Sequence, residues 1–401
     1  MKRFVQFLGA ATLLLSFTQC SEDATTDSAP SVQGSVKLTA SINETRTELS
    51  GNDVLWKSND RLGLFCGTKF VNAPFTTAAG GTTSADFTGD PTDPSGSEAE
   101  VFYAYYPYSA HAVLEGSVVS GLSIPAVQTF ATKSFATELC PMATSGADYS
   151  RLAFRTIGTV LKFQVTGQKN VTKIELTGND GEALAGDYTI DFVGETPEMK
   201  FSGTETTLTL TCSEPVALND ASATEFYFVL PAGIEFTKGI TVKVYTDDNA
   251  EPMVKEYASP LTTRPNKLVT VKAFTYSVPV TSIEEANEAL SKGTSGVTIT
   301  STTDLTAPST LEIPNAFGHG TSTSVEIEQP VSTDLTISEK TTSDKELPET
   351  LSVEMETTAS LIVDTPNLTV SLEGTYTTVE ATTAENTLIV AKNTVIETLT
   401  V

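Results

Sequence analysis

Apolar and polar residues alternate with a period of two along much of the chain, which predicts strands rather than helices. Leu161-Lys162-Phe163-Gln164-Val165 and Thr241-Val242-Lys243-Val244-Tyr245 each place one face in a core and the other in water. Turn-forming clusters punctuate such runs, among them Ala79-Gly80-Gly81, Asn179-Asp180-Gly181 and Asp247-Asp248-Asn249. Short strands with these breaks across residues 35–276 predict β-sandwiches, and the length suits two in tandem, 35–150 and 151–276. All but two of the aromatic residues fall before residue 277, so the aromatic cores belong to this half.

The pattern then changes. Residues 277–401 hold only Phe317 and Tyr376 as aromatics, have no arginine, and carry lysine only at 292, 340, 345 and 392. Short branched triplets recur: Val297-Thr-Ile299, Leu311-Glu-Ile313, Val325-Glu-Ile327, Leu335-Thr-Ile337, Leu351-Ser-Val353, Leu361-Ile-Val363, Leu368-Thr-Val370, Leu388-Ile-Val390 and Leu399-Thr-Val401. Leu361 to Val379 is 18 residues and Leu368 to Leu388 is 20, intervals that suit one coil of a parallel β-solenoid. A third β-sandwich is the alternative for this region. Ser282-Ile283-Glu284-Glu285 reads as a capping box opening a short helix, with Ile283, Ala286 and Leu290 on one face. Such a helix would cover the open edge of the first coil. The fold class expected is therefore all-β, with two tandem β-sandwich domains, which resemble transthyretin-like folds, followed by a parallel β-solenoid.

At the N-terminus, Lys2 and Arg3 precede an apolar run from Phe4 to Phe17, which is too short for a bilayer-spanning helix and is placed as a signal peptide is. Cys20 follows after Thr18 and Gln19, the arrangement of a bacterial lipoprotein whose cysteine takes a lipid. Residues 1–19 are then the signal peptide and 20–34 a polar tether. An ordinary signal peptide with an incidental cysteine is the other reading. Ser21-Glu22-Asp23 resembles the export tag of surface-exposed lipoproteins of the Bacteroidetes, which implies an outer-membrane, surface-facing location. Asp27-Ser28-Ala29 resembles the O-glycosylation signal of proteins from the same group, with Ser28 as the candidate acceptor, although a plain linker fits equally.

Charge narrows the partners. The chain has 24 basic and 50 acidic residues, and loss of Lys2 and Arg3 with the signal peptide moves its formal charge from −26 to −28. That surface repels phosphate backbones, so no nucleic-acid partner is expected. Cys66, Cys140 and Cys212 are widely spaced and read as buried small residues with at most one disulfide, and His111 and His319 are the only histidines. No metal site, cofactor loop or nucleophile elbow stands out, no carboxylate pair is marked, and we expect no enzyme and no cofactor.

Several motifs, taken in order, resemble the fimbrillin family. Trp56-Lys57-Ser58-Asn59-Asp60 leading into Leu62-Gly63-Leu64-Phe65 resembles its Trp-to-Asp signature, and Thr45-Arg46-Thr47 its Thr-Arg-Thr step. Tyr103-Ala104-Tyr105-Tyr106-Pro107-Tyr108 resembles its Tyr-Pro-Tyr strand, and Ile124-Pro125-Ala126-Val127-Gln128 its Pro-to-Gln turn. Leu152-Ala153-Phe154 looks like the opening of the second domain, and Leu230-Pro231-Ala232-Gly233 like the turn near its end. The resemblance implies a surface fimbrial subunit or fimbria-associated adhesin, with other subunits as partners. Family pilins lose their first strand to a protease that cuts after a basic residue, and a strand from the next subunit fills the groove. Here that strand would be Val36 to Ile42 and the cut would follow Arg46, although Arg46 also sits in the Thr-Arg-Thr step. Shaft pilins donate a strand from near the C-terminus, whereas 125 residues follow the second sandwich here, which favours a tip or accessory position. A stand-alone lipoprotein that binds glycan or protein without polymerising is the competing expectation. Trp56 and the tyrosines would fill cores, or the tyrosines could form a sugar platform.

Overall fold

The structure is a computed structural model that describes residues 35–42, 54–136, 139–248, 251–294, 296–301, 303, 305–317, 321–341, 346–383 and 387–401. Strands dominate it, and the one helix among the described residues is Ile283–Ser291. The fold is all-β, as the alternation predicts.

The first sheet closes on itself as a seven-stranded ring: Val36–Ile42, Arg151–Thr156, Met142–Gly146, Phe102–Tyr106, Arg61–Cys66, Phe70–Thr77 and Ser84–Gly89, which returns to Val36–Ile42. Closure leaves no free sheet edge and encloses a core that includes Leu38, Trp56, Phe75, Phe87, Tyr106 and Phe154. Arg151–Thr156, which from sequence looks like the opening of the second domain, is a strand of this ring and lies beside the first strand. Its alternation shows which face is apolar but is silent about which sheet that face lines.

The second sandwich stacks two sheets. One has Thr159–Thr166 between Thr224–Leu230 and Lys267–Thr270, and the other runs Met253–Tyr257, Ile240–Thr246, Asn170–Gly178, Thr207–Ala217 and Val127–Thr129. The segment after the ring's Tyr-rich strand crosses over. Val118–Ile124 pairs with Gly186–Asp191, and Val127–Thr129 adds in parallel to Thr207–Ala217. Val119, Leu122 and Ile124 therefore share a core with Phe65 and Tyr105 of the ring and Tyr188 and Ile190 of the second half.

From Val278 onward the strands form parallel ladders, and the region is a β-solenoid rather than a third sandwich. Val297, Val325, Val353 and Leu372 stack in register along one ladder, and Leu311, Ile337 and Val363 along another. Leu361 pairs with Val379 across the predicted 18-residue interval, but Leu388 pairs with Val370 rather than Leu368. Leu368 is still buried, because a slip of two residues keeps the same face inward.

The helix sits where the capping box places it. The Glu285 N–H donates to Ser282 Oγ at 3.1 Å, while the Glu285 carboxylate accepts from the Thr281 N–H at 2.7 Å, one residue further out than the simple motif. Ile283, Ala286 and Leu290 are buried against the first coils. On its other side, Asn287 imitates a strand: its Nδ2 donates to the Thr310 carbonyl (3.0 Å) and its Oδ1 accepts from the Glu312 N–H (2.8 Å). These bonds satisfy backbone groups on the open edge of Ser309–Pro314.

Solenoid and second sandwich meet at a polar cavity of about 250 Å³. Ser324, Ser352 and Ser371 form one in-register column beside it, and Glu326, Glu354 and Glu373 form another. Stacked like charges are unfavourable, and the sandwich answers with Lys272 and with Lys255, which reaches Glu326 at 3.4 Å. Glu354 keeps solvent contact. Even so, partial desolvation and then the Glu326 charge raise its carboxyl pKa, against the opposing pull of Lys255 and Lys272. A carboxylate with a raised folded-state pKa weakens the fold while ionised, and that penalty fades as pH falls through the raised value toward the ordinary glutamate range. Glu354→Gln is therefore expected to be more stable than wild type at neutral pH, with the gap closing on mild acidification. Urea titrations of both proteins across that range check this, and a gap independent of pH would refute it.

Candidate strand-exchange site

Val36–Ile42 is the strand on which ring closure depends. It runs antiparallel to Ser84–Gly89 from Val36–Gly89 to Ser41–Ser84, and parallel to Arg151–Thr156 from Thr39–Arg151 to Ile42–Phe154. Alternation sends Leu38, Ala40 and Ile42 inward, all buried, and leaves Lys37, Thr39 and Ser41 on the outer side. The outer side chains fasten locally. Thr39 Oγ1 donates to Asp86 Oδ1 at 2.9 Å, Lys37 pairs with Asp86 at 2.7 Å, and Ser41 Oγ donates to the Leu152 carbonyl at 3.2 Å. Lys37, then Thr39, holds the Asp86 carboxyl below the usual aspartate range, but both partners of the ion pair are largely exposed.

Trp56 forms the floor beneath the strand. Its indole N–H donates to the Ala40 carbonyl at 3.0 Å, and its ring makes edge contacts with Phe87 (4.9 Å between centroids), Tyr106 (5.3 Å) and Phe154 (5.7 Å). Phe87 and Phe154 stand on the two strands that flank Val36–Ile42, so one side chain links the strand to both neighbours. Asp60 secures the turn after Trp56, accepting from the Lys57 N–H at 2.7 Å and the Tyr106 hydroxyl at 2.9 Å. If Val36–Ile42 were withdrawn, two backbone edges and an apolar trough fitted to every second side chain would remain. That geometry can accept an extended segment by backbone pairing.

The Tyr-rich strand serves the cores. The Tyr105 hydroxyl lies within hydrogen-bond reach of two acceptors, Asn72 Oδ1 (2.6 Å) and the Ser109 carbonyl (2.9 Å), and its desolvation pushes the phenol pKa up. Tyr103 packs on Phe192 at 5.0 Å, and Tyr108 lies under the Arg61 guanidinium at 4.4 Å. Tyr105 and Tyr106 are fully buried and present no face to a sugar, while Tyr103 and Tyr108 are half-buried. Cys66 and Cys140 are buried and Cys212 is half-buried. Cys20, Ser28 and Arg46 lie outside the described residues.

One residue of structural weight has no sequence signature beyond its place in the Pro-to-Gln turn. Gln128 is buried, donates Nε2 to the Val229 carbonyl at 2.8 Å and accepts from the Val229 N–H at 2.9 Å. It joins the Val127–Thr129 strand of one sheet to the outer edge of Thr224–Leu230 in the other. From sequence an isolated glutamine reads as a surface residue.

No family model matches the chain, and no curated protein matches it. Among solved structures it is similar to a candidate cell-adhesion protein from Bacteroides uniformis, at 14% identity over 61% of this chain and 94% of that one, with a TM-score of 0.35. A second candidate cell-adhesion protein, from Bacteroides fragilis, is 12% identical over 60% of this chain and 90% of that one, with a TM-score of 0.30. The tip fimbrial protein Mfa3 from Porphyromonas gingivalis is 12% identical over 57% of this chain and 83% of that one, with a TM-score of 0.23. Likenesses this distant carry no functional conclusion for this chain.

Proposed function

We propose that this chain is an adhesive component of cell-surface fimbriae, in a tip or accessory position, joined to a neighbouring subunit by β-strand addition. What supports this most is the placement of Val36–Ile42: the first described strand completes a closed ring between Ser84–Gly89 and Arg151–Thr156. A cut after Arg46 would leave that strand held without a covalent link, by its ladders, by Leu38, Ala40 and Ile42 in the core, and by the side-chain bonds of Lys37, Thr39, Ser41 and Trp56. Its departure exposes edges that another subunit's strand satisfies with the same backbone bonds. The ordered motifs from Thr45-Arg46-Thr47 to Leu230-Pro231-Ala232-Gly233 support the fimbrillin reading. Cys20 would carry the lipid that holds the uncut chain at the outer membrane. The solenoid, packed on the second sandwich, would be the presented part, and its bulk is what favours a tip or accessory place over a repeating shaft. No catalytic step enters this reading.

The test is digestion of the purified full chain with a trypsin-like protease. The expected result is a new N-terminus at Thr47, loss of the Val36–Ile42 segment, and higher-order ladders on a denaturing gel. A synthetic peptide of the sequence Val36 to Ile42 in excess should suppress those ladders by refilling the groove. A clean cut with the segment retained and no ladder would refute strand exchange and leave the non-polymerising surface lipoprotein in its place.

A further inference from the structure

A cavity of about 400 Å³ lies where the ring meets the second sandwich, a size and position typical of small-ligand sites. Arg155 stands at its rim and also lines an adjoining cavity of about 200 Å³. Strand alternation puts it there: Leu152, Phe154 and Thr156 point inward, so Arg151, Ala153 and Arg155 point out. In a chain with twice as many acidic as basic residues, its guanidinium has no ion pair or side-chain hydrogen bond among the described residues. Beside it, Thr156 is only 6% exposed, lines the same cavity, and has a hydroxyl without a hydrogen-bond partner among the described residues.

We propose that this cavity binds a carboxylate-bearing sugar residue, with the carboxylate on Arg155. The planar guanidinium fork matches a carboxylate through two parallel hydrogen bonds. Ile157, Pro197, Met199 and Pro265 provide an apolar wall for the C–H face of a pyranose ring. Around them stand acceptors for sugar hydroxyls. Glu198 engages Lys200 at 2.6 Å through Oε2 and keeps Oε1 as an acceptor, and Asn266 adds an amide. The Glu198 carboxylate, with the net charge of the chain, disfavours densely anionic ligands such as phosphorylated or sulfated sugars. No aromatic ring lines the cavity, so a neutral sugar would lack both a stacking platform and an ionic anchor.

The experiment uses the uncut full chain, so its outcome is independent of strand exchange. Binding of D-glucuronate, D-glucose and N-acetyl-alanine is measured by titration calorimetry at low and physiological salt. Glucuronate is expected to bind saturably, with glucose and N-acetyl-alanine weaker on the order of tenfold or more. Arg155→Gln should erase the preference for glucuronate over glucose with no change in the thermal midpoint, because the side chain is exposed. No saturable glucuronate binding, equal binding of glucuronate and glucose, or an unchanged preference in Arg155→Gln would overturn the proposal. Equal binding of N-acetyl-alanine would also overturn it, by marking a plain carboxylate site that does not recognise sugar.

Discussion

Trp56→Ala is expected to destabilise the ring by about 4 kcal/mol and to loosen Val36–Ile42 more than any other strand. Trp56 is 1% exposed and contacts Phe87, Tyr106 and Phe154, so truncation leaves a large void among rings that cannot all move to fill it. It also removes the donor to the Ala40 carbonyl, the one side-chain bond that ties the middle of the first strand to the floor beneath it. Trp56→Phe separates the two effects. It refills much of the volume but still lacks the N–H, and a loss of roughly 1–2 kcal/mol is expected. Circular-dichroism urea titrations measure the totals, and hydrogen exchange at Thr39 and Ser41 measures the local part. If exchange in Val36–Ile42 accelerates no more than in Phe102–Tyr106, Trp56 is ordinary core and has no special hold on the exchangeable strand. If the expectation holds, the alanine variant should also release the strand faster after protease treatment, because the trough that grips Leu38 and Ala40 has lost its floor.

Gln128→Leu is expected to cost roughly 3 kcal/mol, although it replaces a polar side chain with an apolar one of similar volume in a buried place. The loss comes from Val229, whose N–H and carbonyl are buried and would both be left without the Gln128 amide. Gln128→Glu gives a diagnostic contrast. At neutral pH its carboxylate faces the Val229 carbonyl and cannot donate, so destabilisation should exceed that of leucine. A protonated glutamate can donate to the carbonyl and accept from the N–H, as glutamine does. Burial raises the folded-state pKa of such a group, so the glutamate variant should regain stability as pH falls. Val229 is buried in the same core as Trp56, the only tryptophan, so tryptophan fluorescence reports a fault at Val229 within that shared core. A leucine variant as stable as wild type, or a glutamate variant that fails to recover in acid, would show that water already serves Val229.

The element types were legible from residue order. Period-two runs became strands with the expected faces inward, Ser282 to Glu285 started the helix, and the branched triplets became stacked coils. The reason is local: backbone pleat and helix pitch dictate which side chains share a face, whatever partner that face later finds. Trp56 and the buried tyrosines could also be recognised as core, because their size and polar tips suit the margin of a sandwich. The Leu368–Leu388 interval misled by two residues, since any even slip preserves the buried face and the pattern cannot tell one from another.

Tertiary structure alone decided the pairings. Ring closure through Val36–Ile42, the capture of Arg151–Thr156 by the ring and the crossing of Val118–Thr129 are contacts between residues far apart in sequence. The same holds for Gln128 on Val229, Asn287 on Thr310 and Glu312, and the cavity around Arg155 and Thr156. The residues in these sites are ordinary polar types whose role depends on which backbone or side chain is brought opposite them. By itself, then, the sequence determined an acidic, all-β chain of sandwich-like halves and a parallel solenoid, because burial periodicity is a property of neighbours along the backbone. Which edges meet, which polar groups are forced to satisfy one another and where a cavity remains are set only when distant strands pack.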